Sequence, residues 1–355
     1  MNSRPRIALA ICSRVIGGHE FQASAMAKDL SLHADVTIFL NKSDQHSLFD
    51  YEGINVVLLQ DQLLRSGVLP LQFMFGWQRR QVLRRRFCDF DQVIVCAGAV
   101  EAAVSVGLSL RGAVPISLYL PFFFDRKPVW GKLLGCAYNT VLGLACKLFD
   151  RIITINRIQR YVIVRLTGLR TVVVPNSVRR VAAPSAERPG RMVFIGRLDR
   201  QKRVEELLRW IDFEENPFRE ILIVGDGPLR ESIDVVTKKM KYVRADLQGW
   251  LSPQSQDALL SRHDVLLLNS LLEGEPLVIR EAAKRGMRVV CRSIVGVRGI
   301  TRATQRYTTC AELQSILRRT PPHTHMFPIA DDHLAEARAR TILALLKEVQ
   351  QQHAR

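Results

Sequence analysis

The chain lacks the features that mark several classes of protein. Its seven cysteines are odd in number and form no Cys-x-x-Cys pair, which argues against a zinc site or a disulfide framework. The first strand-like run begins at Ile7 after a short polar start, without the apolar region and cleavage site of a secretory signal. Neither a repeat of solenoid period nor a low-complexity tract occurs. We therefore expect a cytoplasmic, globular protein in a reducing compartment.

A long apolar run is also missing. The best candidate for a membrane span, residues 133–148, begins next to Lys132, includes Lys147 and contains Asn139. Only 14 residues separate the two lysines, whereas a spanning helix needs about 20 apolar residues. A core helix or a helix resting on a membrane is the better interpretation.

Acidic residues are scarce in the first half of the chain. The net charge is +17, and residues 1–180 hold 23 Lys and Arg against 12 Asp and Glu. The densest basic clusters are 77–87 and 151–180, of which the second has seven arginines and no acid. Such segments suit an anionic membrane surface, an anionic substrate or nucleic acid. A solvated basic face without a specific partner is the alternative.

Short aliphatic runs alternate with helical patterns along the chain. Strands are predicted near 6–12, 35–40, 54–59, 92–96, 114–119, 151–155, 171–174, 192–195, 220–224, 264–268 and 288–291. Helices are predicted near 19–31, 78–87, 99–109, 131–148, 157–166, 203–211, 228–239, 254–260, 276–285 and 333–351. The alternation is typical of α/β proteins with parallel sheets, and 355 residues favour two doubly wound domains.

A break in the alternation predicts the domain boundary. Residues 176–190 are rich in Pro, Ala and Arg and have no apolar period, which predicts a linker between a domain at 1–175 and one at 191–330. We expect the remaining residues, 331–355, to form a helix that packs back towards the N-terminal domain. Open α/β sheets bind ligands beyond the carboxyl ends of their strands, so two such domains should face a cleft that holds the ligand.

The segment from Leu272 to Gly286 carries the strongest functional signal. Glu273 and Glu281 stand eight residues apart, across a loop and the start of a helix. Pro276 suits the first turn of that helix and Gly286 its end. Free backbone N–H groups at a helix N-terminus can bind an anion such as a diphosphate, and Glu281 could accept hydrogen bonds from a ribose diol. The alternative is a surface helix with ordinary solvated glutamates.

Three other turns follow strands and precede helices. Arg197 and Lys202 flank the turn after strand 192–195, where both cations could converge on a diphosphate or remain solvated surface charges. The turn at 225–228 has glycines that a tight turn alone would explain; the functional alternative is that it borders a base pocket. The glycine pair Gly17 and Gly18, after the first strand, permits close approach of a ligand but is a weak signal.

The ordered set of these motifs resembles the family 4 glycosyltransferases, retaining enzymes of the GT-B fold. The resemblance rests on Gly-Arg-x4-Lys at 196–202, Val-Gly-Asp-Gly-Pro at 224–228 and Asn-Ser-x2-Glu-Gly-x-Pro-x4-Glu-Ala at 269–282. Val-Pro-Asn at 174–176 and Gly-Trp at 249–250 agree with it, and the similarity covers roughly residues 6–300. It implies two Rossmann-like domains and transfer of a sugar from a nucleotide diphosphate.

The resemblance also implies roles for individual residues. Arg197 and Lys202 would bind the donor diphosphate, Glu281 the ribose, and Glu273 with Gly274 the transferred sugar. The full implied donor-binding set is Gly17, Gly18, Gly196, Arg197, Lys202, Gly225, Gly274, Glu275, Pro276, Leu277 and Glu281. The catalytic candidates are Glu273, Arg197, Lys202 and Asp125, of which Asp125 is better explained as a surface residue before a basic loop.

Neither a metal nor a cofactor is expected. Fixed cations and a helix N-terminus can stabilise a leaving diphosphate, and the relevant loops contain no Asp-x-Asp. The donor would be a UDP-, GDP- or ADP-sugar, and the acceptor a lipid-linked, lipopolysaccharide or other glycan at the cytoplasmic face of a membrane. Glu275 and the pair Lys284-Arg285 depart from the family pattern, which affects the choice of sugar. Alternatives are a non-catalytic scaffold and a nucleotide-sugar epimerase; no nucleic-acid-binding module is recognised.

Overall fold

A computed structural model describes most of the chain. The described residues are 4–12, 18–40, 53–59, 77–96, 100–120, 127–178, 190–260, 264–298, 300–319, 338, 340–342, 344–345 and 348. The chain divides into two compact units, of which unit 1 contains residues 1–177 and 332–355 and unit 2 contains residues 178–331. Most of the predicted linker, residues 179–189, lies outside the described residues.

Unit 1 is built on a parallel sheet of seven strands. These are β1 (Arg6–Ile11), β2 (Asp35–Leu40), β3 (Asn55–Leu58), β4 (Gln92–Cys96), β5 (Ile116–Leu120), β6 (Arg151–Thr154) and β7 (Thr171–Val173), in the order β3-β2-β1-β4-β5-β6-β7. Its helices are α1 (Gly18–Ser31), α2 (Trp77–Phe87), α3 (Val100–Leu110), α4 (Lys127–Cys146) and α5 (Arg157–Thr167). The central strands are buried on both faces, as expected for a parallel sheet that is covered by helices.

Two apolar cores lie on the two faces of this sheet. One contains inward-facing residues of α2, α3, α4 and α5, whereas the other contains those of α1 together with Ile342 and Leu345 from the C-terminal residues. Arg338 pairs with Asp29 of α1 and donates to the carbonyl oxygen of Pro175, 2.5 Å away. The described residues from 338 onwards are helical, and they belong to unit 1. Most of the predicted helix 333–351 is not described.

Unit 2 is built on a parallel sheet of six strands. These are β8 (Met192–Ile195), β9 (Glu220–Val224), β10 (Arg244–Gly249), β11 (Val265–Leu268), β12 (Arg288–Arg292) and β13 (Arg306–Tyr307), in the order β10-β9-β8-β11-β12-β13. Its helices are α6 (Val204–Ile211), α7 (Arg230–Thr237), α8 (Pro253–Leu259), α9 (Leu277–Lys284) and α10 (Cys310–Arg318). Both units therefore have the doubly wound α/β architecture that the alternation predicts.

Three elements of unit 2 were not predicted from the sequence. β10 is an edge strand with polar residues at its exposed positions, so it has no apolar run to reveal it. β13 is only two residues long. Helix α10 begins after Thr309, whose hydroxyl accepts from the N–H of Glu312 while the Glu312 carboxylate accepts from the N–H of Thr309. This capping box is visible in the sequence as Thr-x-x-Glu.

Helix α4 is interrupted near its start. It begins at Lys127, earlier than predicted, and Gly131 has a non-helical backbone with φ 77° that breaks it into two pieces. The first piece folds back so that the backbone of Lys127 packs against Gly135, where a β-carbon would lie 2.5 Å from the Lys127 α-carbon. Among the described residues, no helix combines the length and hydropathy that crossing a membrane requires.

All seven cysteines are free thiols, and they differ in accessibility. Cys88 and Cys136 are exposed, whereas Cys12, Cys96, Cys146 and Cys291 are buried. Burial raises the pKa of the Cys146 thiol to about 12 and that of Cys291 to about 11. The buried thiols therefore behave as small apolar side chains, as the sequence suggests.

This difference predicts selective labelling of the native protein. At pH 8 iodoacetamide should modify Cys88 and Cys136 rapidly and leave Cys96, Cys146 and Cys291 unmodified, because the raised pKa of each buried thiol keeps it protonated at that pH. Peptide mapping by mass spectrometry would measure the modification at each site. Labelling of all seven in denaturant is the control, and equal rates for Cys146 and Cys136 in the native protein would contradict the packing described.

Candidate functional site

The predicted site residues of unit 2 gather around a change in strand order. In this sheet β8 lies between β9 and β11, so that the chain leaves β8 towards one edge and later returns to its other side. The carboxyl ends of β8 and β11 therefore flank a topological switch point, where open α/β sheets bind ligands. The loop after β8 carries Arg197 and Lys202, and the loop after β11 carries Glu273.

The loops after β8 and β9 contact each other through their backbones. A β-carbon on Gly225 would lie 1.9 Å from the carbonyl oxygen of Gly196, and one on Gly227 would lie 2.5 Å from that of Leu198. The N–H of Leu198 donates to the carbonyl oxygen of Asp226 at 2.9 Å. Close approach of a second loop, in addition to the turn itself, thus explains why residues 225 and 227 are glycines.

Lys202 and Glu273 form the central contact of the site. The Lys202 Nζ lies 2.5 Å from the Glu273 Oε1, although the residues are 71 positions apart in the sequence. The two side chains are only 17% and 12% exposed, so water screens their attraction less than it would on an open surface. The structure therefore brings together the residue predicted for the donor diphosphate and the residue predicted for the sugar.

Backbone contacts hold the loop that carries Glu273. Gln201, the neighbour of Lys202, donates from its side chain to the carbonyl oxygen of Leu272 at 2.7 Å and accepts at its backbone from the N–H of Leu271 at 2.8 Å. On the other side, a β-carbon on Gly296 would lie 2.1 Å from the carbonyl oxygen of Glu273. Gly296 was not predicted as a site residue, because nothing in its local sequence indicates this close approach.

Arg197 has a different environment from Lys202. Its Nε lies 2.8 Å from Asp199 Oδ2, and its side chain is 62% exposed. Asp199 also accepts from the backbone N–H of Lys202 at 3.1 Å. The Arg197 guanidinium is thus directed by an acid of its own loop, and a solvent-exposed charge pair of this kind contributes little to stability.

Helix α9 has the ends that its sequence predicts. It begins at Leu277, after Pro276, which has extended backbone angles and gives the helix no side-chain cap. It ends at Lys284, and Gly286 in the turn that follows has φ 72° and donates its N–H to the carbonyl oxygen of Ala283, while Met287 donates to that of Ala282. This pair of bonds is a Schellman motif, for which glycine is favoured because it adopts positive φ without strain.

Two carboxylates of this region are paired with arginines. Glu275 Oε1 lies 2.5 Å from Arg280 Nε, and both side chains are buried. Glu281 is 18% exposed and has an oxygen 3.9 Å from Arg285 Nη1, while Arg285 also pairs with Asp257 of α8. The predicted donor residue Glu275 thus has its carboxylate in a buried ion pair, and the unusual Arg285 belongs to the helix packing.

A buried polar network supports the loops after β8 and β11. Asn269 donates from its side chain to the carbonyl oxygen of Arg203 at 3.1 Å and to Glu206 at 2.9 Å. Tyr307 donates to Asn269 at 3.0 Å, and burial raises the pKa of its hydroxyl well above the usual value. Arg292 contacts both Glu206 and Asn269, at 3.2 and 3.3 Å. None of these residues was predicted to support the site, although Asn269 begins the motif at 269–282, because the contacts join residues that are distant in sequence.

The network holds a strained backbone. Arg203, next to Lys202, has φ 50° and is the single non-glycine residue with positive φ among those described. An arginine in this region costs about 1–2 kcal/mol. The hydrogen bond from Asn269 to the Arg203 carbonyl, together with the ion pair from Arg203 to Glu206, offsets this cost and orients the start of α6.

The remaining predicted residues lie elsewhere. Gly196 and Gly225 are in the loop contact described above, and Gly274 and Leu277 follow Glu273 towards α9. Gly18 is the first residue of α1 in unit 1, whereas Gly17 and Asp125 lie outside the described residues. In the described part of the chain, no group of three or more His, Cys, Asp or Glu side chains is placed to hold a metal ion.

Comparison with known proteins identifies the sequence of unit 2. Residues 178–311 match the model of the glycosyl transferases group 1 family. A curated relative, the putative teichuronic acid biosynthesis glycosyltransferase TuaC of Bacillus subtilis (strain 168), is 33% identical over 106 residues. That match covers 30% of this chain, and it spans only a quarter of the length of the relative.

Two solved structures share the fold across nearly the whole chain. The apo form of the lipopolysaccharide outer core galactosyltransferase WaaB has a TM-score of 0.64 and 19% identity, and the match covers 98% of each chain. Anabaena Alr3699/HepE in complex with UDP and glucose has a TM-score of 0.69 and 15% identity, with 99% of this chain and 98% of the other covered. The match to the glycosyl transferases group 1 model thus covers residues 178–311, and the two doubly wound domains have the GT-B architecture of these solved structures.

Proposed function

We propose that the protein is a retaining glycosyltransferase that uses a UDP-, GDP- or ADP-sugar. The observation that carries the proposal is the contact between Lys202 and Glu273 at the switch point of unit 2. It joins a cation suited to a diphosphate with a carboxylate suited to a sugar ring. A nucleotide diphosphate sugar presents a diphosphate and a sugar ring side by side, one for each of these two groups.

The proposed chemistry follows from these charges. Negative charge develops on the leaving diphosphate as the bond to the sugar breaks, and Lys202, Arg197 and the N-terminus of α9 would stabilise it without requiring a metal. The sugar acquires oxocarbenium-like character, which the Glu273 carboxylate would stabilise. In same-face attack the leaving phosphate helps to deprotonate the acceptor, so that the proposal requires no enzyme nucleophile. Asp125 remains a candidate on the acceptor side.

The ion pair implies an exchange on donor binding. In the structure the Lys202 ammonium is neutralised by Glu273, so the donor diphosphate must compete with this carboxylate for it. We propose that Lys202 turns to the diphosphate and that Glu273 is thereby released to the sugar hydroxyls. Binding of the nucleotide would in this way prepare the carboxylate for transfer.

A glycan of the cell envelope is the proposed acceptor. One similar protein is named for teichuronic acid biosynthesis and another for the lipopolysaccharide outer core, which supports a lipopolysaccharide, lipid-linked or similar acceptor. The charge excess of the first half suits work at the cytoplasmic face of a membrane. A second candidate, a non-catalytic scaffold with the same fold, predicts no response to any nucleotide sugar.

A donor screen tests the proposal. Thermal shift and donor hydrolysis would be measured with UDP-, GDP- and ADP-sugars. One of these nucleotide sugars should raise the melting temperature of the protein, and the protein should hydrolyse it to the free sugar and the nucleotide. Absence of any response would overturn the enzyme proposal and favour the scaffold. Conversion of the donor to an isomeric nucleotide sugar without acceptor would instead identify an epimerase.

The Glu281→Ala variant should lose the response to the donor with little change in stability. The carboxylate is proposed to bind the ribose, and its truncation leaves Arg285 paired with Asp257. The contact between Glu281 and Arg285, at 3.9 Å, is too long for a hydrogen bond, so the melting temperature without ligand should fall only slightly. Glu231→Ala, at an exposed glutamate in the first turn of α7, is the matched control and should keep the full thermal shift. An unchanged donor response in Glu281→Ala would exclude the ribose role.

Variants of the ion pair should separate binding from transfer. Lys202→Ala should weaken binding of the nucleoside diphosphate about 10- to 100-fold, because bonds to charged groups contribute about 1.5–3 kcal/mol. Glu273→Gln should bind the nucleoside diphosphate as tightly as the wild type or more tightly, since Lys202 loses its competitor. Its rate of transfer should nevertheless fall about 100-fold or more, because the carboxylate near the sugar is lost.

Isothermal titration with the nucleoside diphosphate and initial-rate kinetics would measure the two effects. Lys238→Ala removes an exposed lysine of unit 2 that also pairs with an acid, Asp234, and should change neither quantity. If Glu273→Gln weakened binding of the nucleoside diphosphate as much as Lys202→Ala does, the proposed competition between carboxylate and diphosphate would be refuted.

A further inference from the structure

Exposed apolar side chains of the described residues concentrate on two neighbouring helices of unit 1. Helices α4 and α5 hold eight of the fifteen exposed large hydrophobic side chains. The four on α4 are Leu133, Leu134, Val141 and Leu144, which are 84%, 65%, 49% and 60% exposed. The four on α5 are Ile158, Tyr161, Val164 and Leu166. Scattered single residues of this kind need no explanation, but a concentration on two adjacent elements indicates a contact surface.

The geometry places these residues on one side of the unit. The residues 134, 141 and 144 of α4 follow a spacing of seven and three, which keeps them on one face of a helix. The side of α4 that faces the core carries Leu142, Ala145 and Cys146, which lie in the same apolar core as Ile163 of α5. Both helices thus cover the same face of the sheet, and their outer faces point away from it together. We call these two outer faces the α4–α5 surface.

The charge around this surface has one sign. Between residues 127 and 170 the sequence holds eight Lys and Arg and a single acid, Asp150, whose carboxylate accepts from the backbone N–H of Ile116. Lys132 and Lys147 flank the apolar strip of α4, and both are exposed. Arg157 and Arg160 are exposed at the start of α5. Apolar side chains bordered by cations are the pattern of a helix that lies in the interface of an anionic bilayer.

We propose that the α4–α5 surface binds an anionic lipid bilayer, with its leucines in the acyl region and its Lys and Arg at the phosphate groups. Long cationic side chains can reach the headgroups while the apolar residues between them enter the bilayer. A second copy of this chain is a poorer occupant, because it would bring the same positive charge to the interface. The inference deepens the proposed function, since such a contact would keep the enzyme beside a lipid-linked acceptor.

Sedimentation with vesicles tests the proposal. The full-length protein should co-sediment with vesicles of equal parts phosphatidylglycerol and phosphatidylcholine, and much less with phosphatidylcholine alone. Leu133→Glu and Leu144→Glu should each lower the bound fraction at least about tenfold, because each removes an apolar contact and adds a charge repelled by the lipid. Both positions are exposed, so the melting temperature should stay that of the wild type.

Leu32→Glu is the matched control. Leu32 follows α1, which packs on the other face of the sheet, and it is 70% exposed, so the substitution makes the same chemical change away from the proposed surface. It should leave vesicle binding unchanged. Equal loss in Leu32→Glu and Leu133→Glu would show that net charge alone governs binding, and no loss in Leu133→Glu would exclude α4; either result overturns the proposal.

Two further measurements distinguish insertion into the bilayer from a purely electrostatic contact and from contact with a second copy of the chain. Leu133→Trp should shift its tryptophan emission to shorter wavelength on addition of the anionic vesicles, which a purely electrostatic contact would not cause. The alternative outcome is that the wild type fails to bind vesicles and forms a dimer that Leu133→Glu dissociates. That result would assign the surface to a second copy of the chain and overturn the proposal. None of these assays contains a nucleotide, so their failure and the failure of the donor screen are independent.

Discussion

The arrangement of unit 2 depends on how closely its loops approach at the carboxyl end of the sheet. The carbonyl oxygens of Gly196, Leu198 and Glu273 lie 1.9, 2.5 and 2.1 Å from where a β-carbon on a facing glycine would be, so that these loops meet through bare backbone. No side chain can adjust at such a contact, and the loops are therefore fixed relative to one another as well as to their own strands. The contact between Lys202 and Glu273 is a consequence of this constraint.

The same constraint explains why a polar network lies beneath the site. In the loop after β8, Arg203 has a positive φ, and the buried backbone groups of the loops after β8 and β11 need partners. Asn269 supplies the hydrogen bond to the Arg203 carbonyl, and Tyr307 and Glu206 hold Asn269 in place. A buried network of this kind is stabilising only when its members are satisfied together, which makes it a rigid support for Lys202.

The sequence predicts the elements of this fold better than their contacts. Strands such as β9 and β11 are uninterrupted apolar runs, and their bounds follow closely from composition; β10, with polar residues at an edge, does not. The predicted site residues Lys202, Glu273 and Glu281 are visible through motifs that follow strands. Their pairing is not visible, because it depends on β8 and β11 being neighbours across 71 residues of chain. For the same reason Gly296 and Asn269 could not be identified as supports.

The two units differ in whether acids neutralise their cations, and this difference matches the functions proposed for them. In the predicted site of unit 2 the cations Lys202, Arg280 and Arg285 each have a carboxylate partner within the fold, so a donor must exchange with an existing charge. Exchange of this kind favours selective binding over tight binding. Only a ligand that interacts with both the cation and its carboxylate partner recovers the free energy lost when the two are separated. Along α4 and α5 of unit 1, acids are almost absent and exposed cations border apolar residues. An uncompensated field of this kind acts over about 8 Å at physiological salt, which suits capture of an extended anionic surface rather than choice among small ligands.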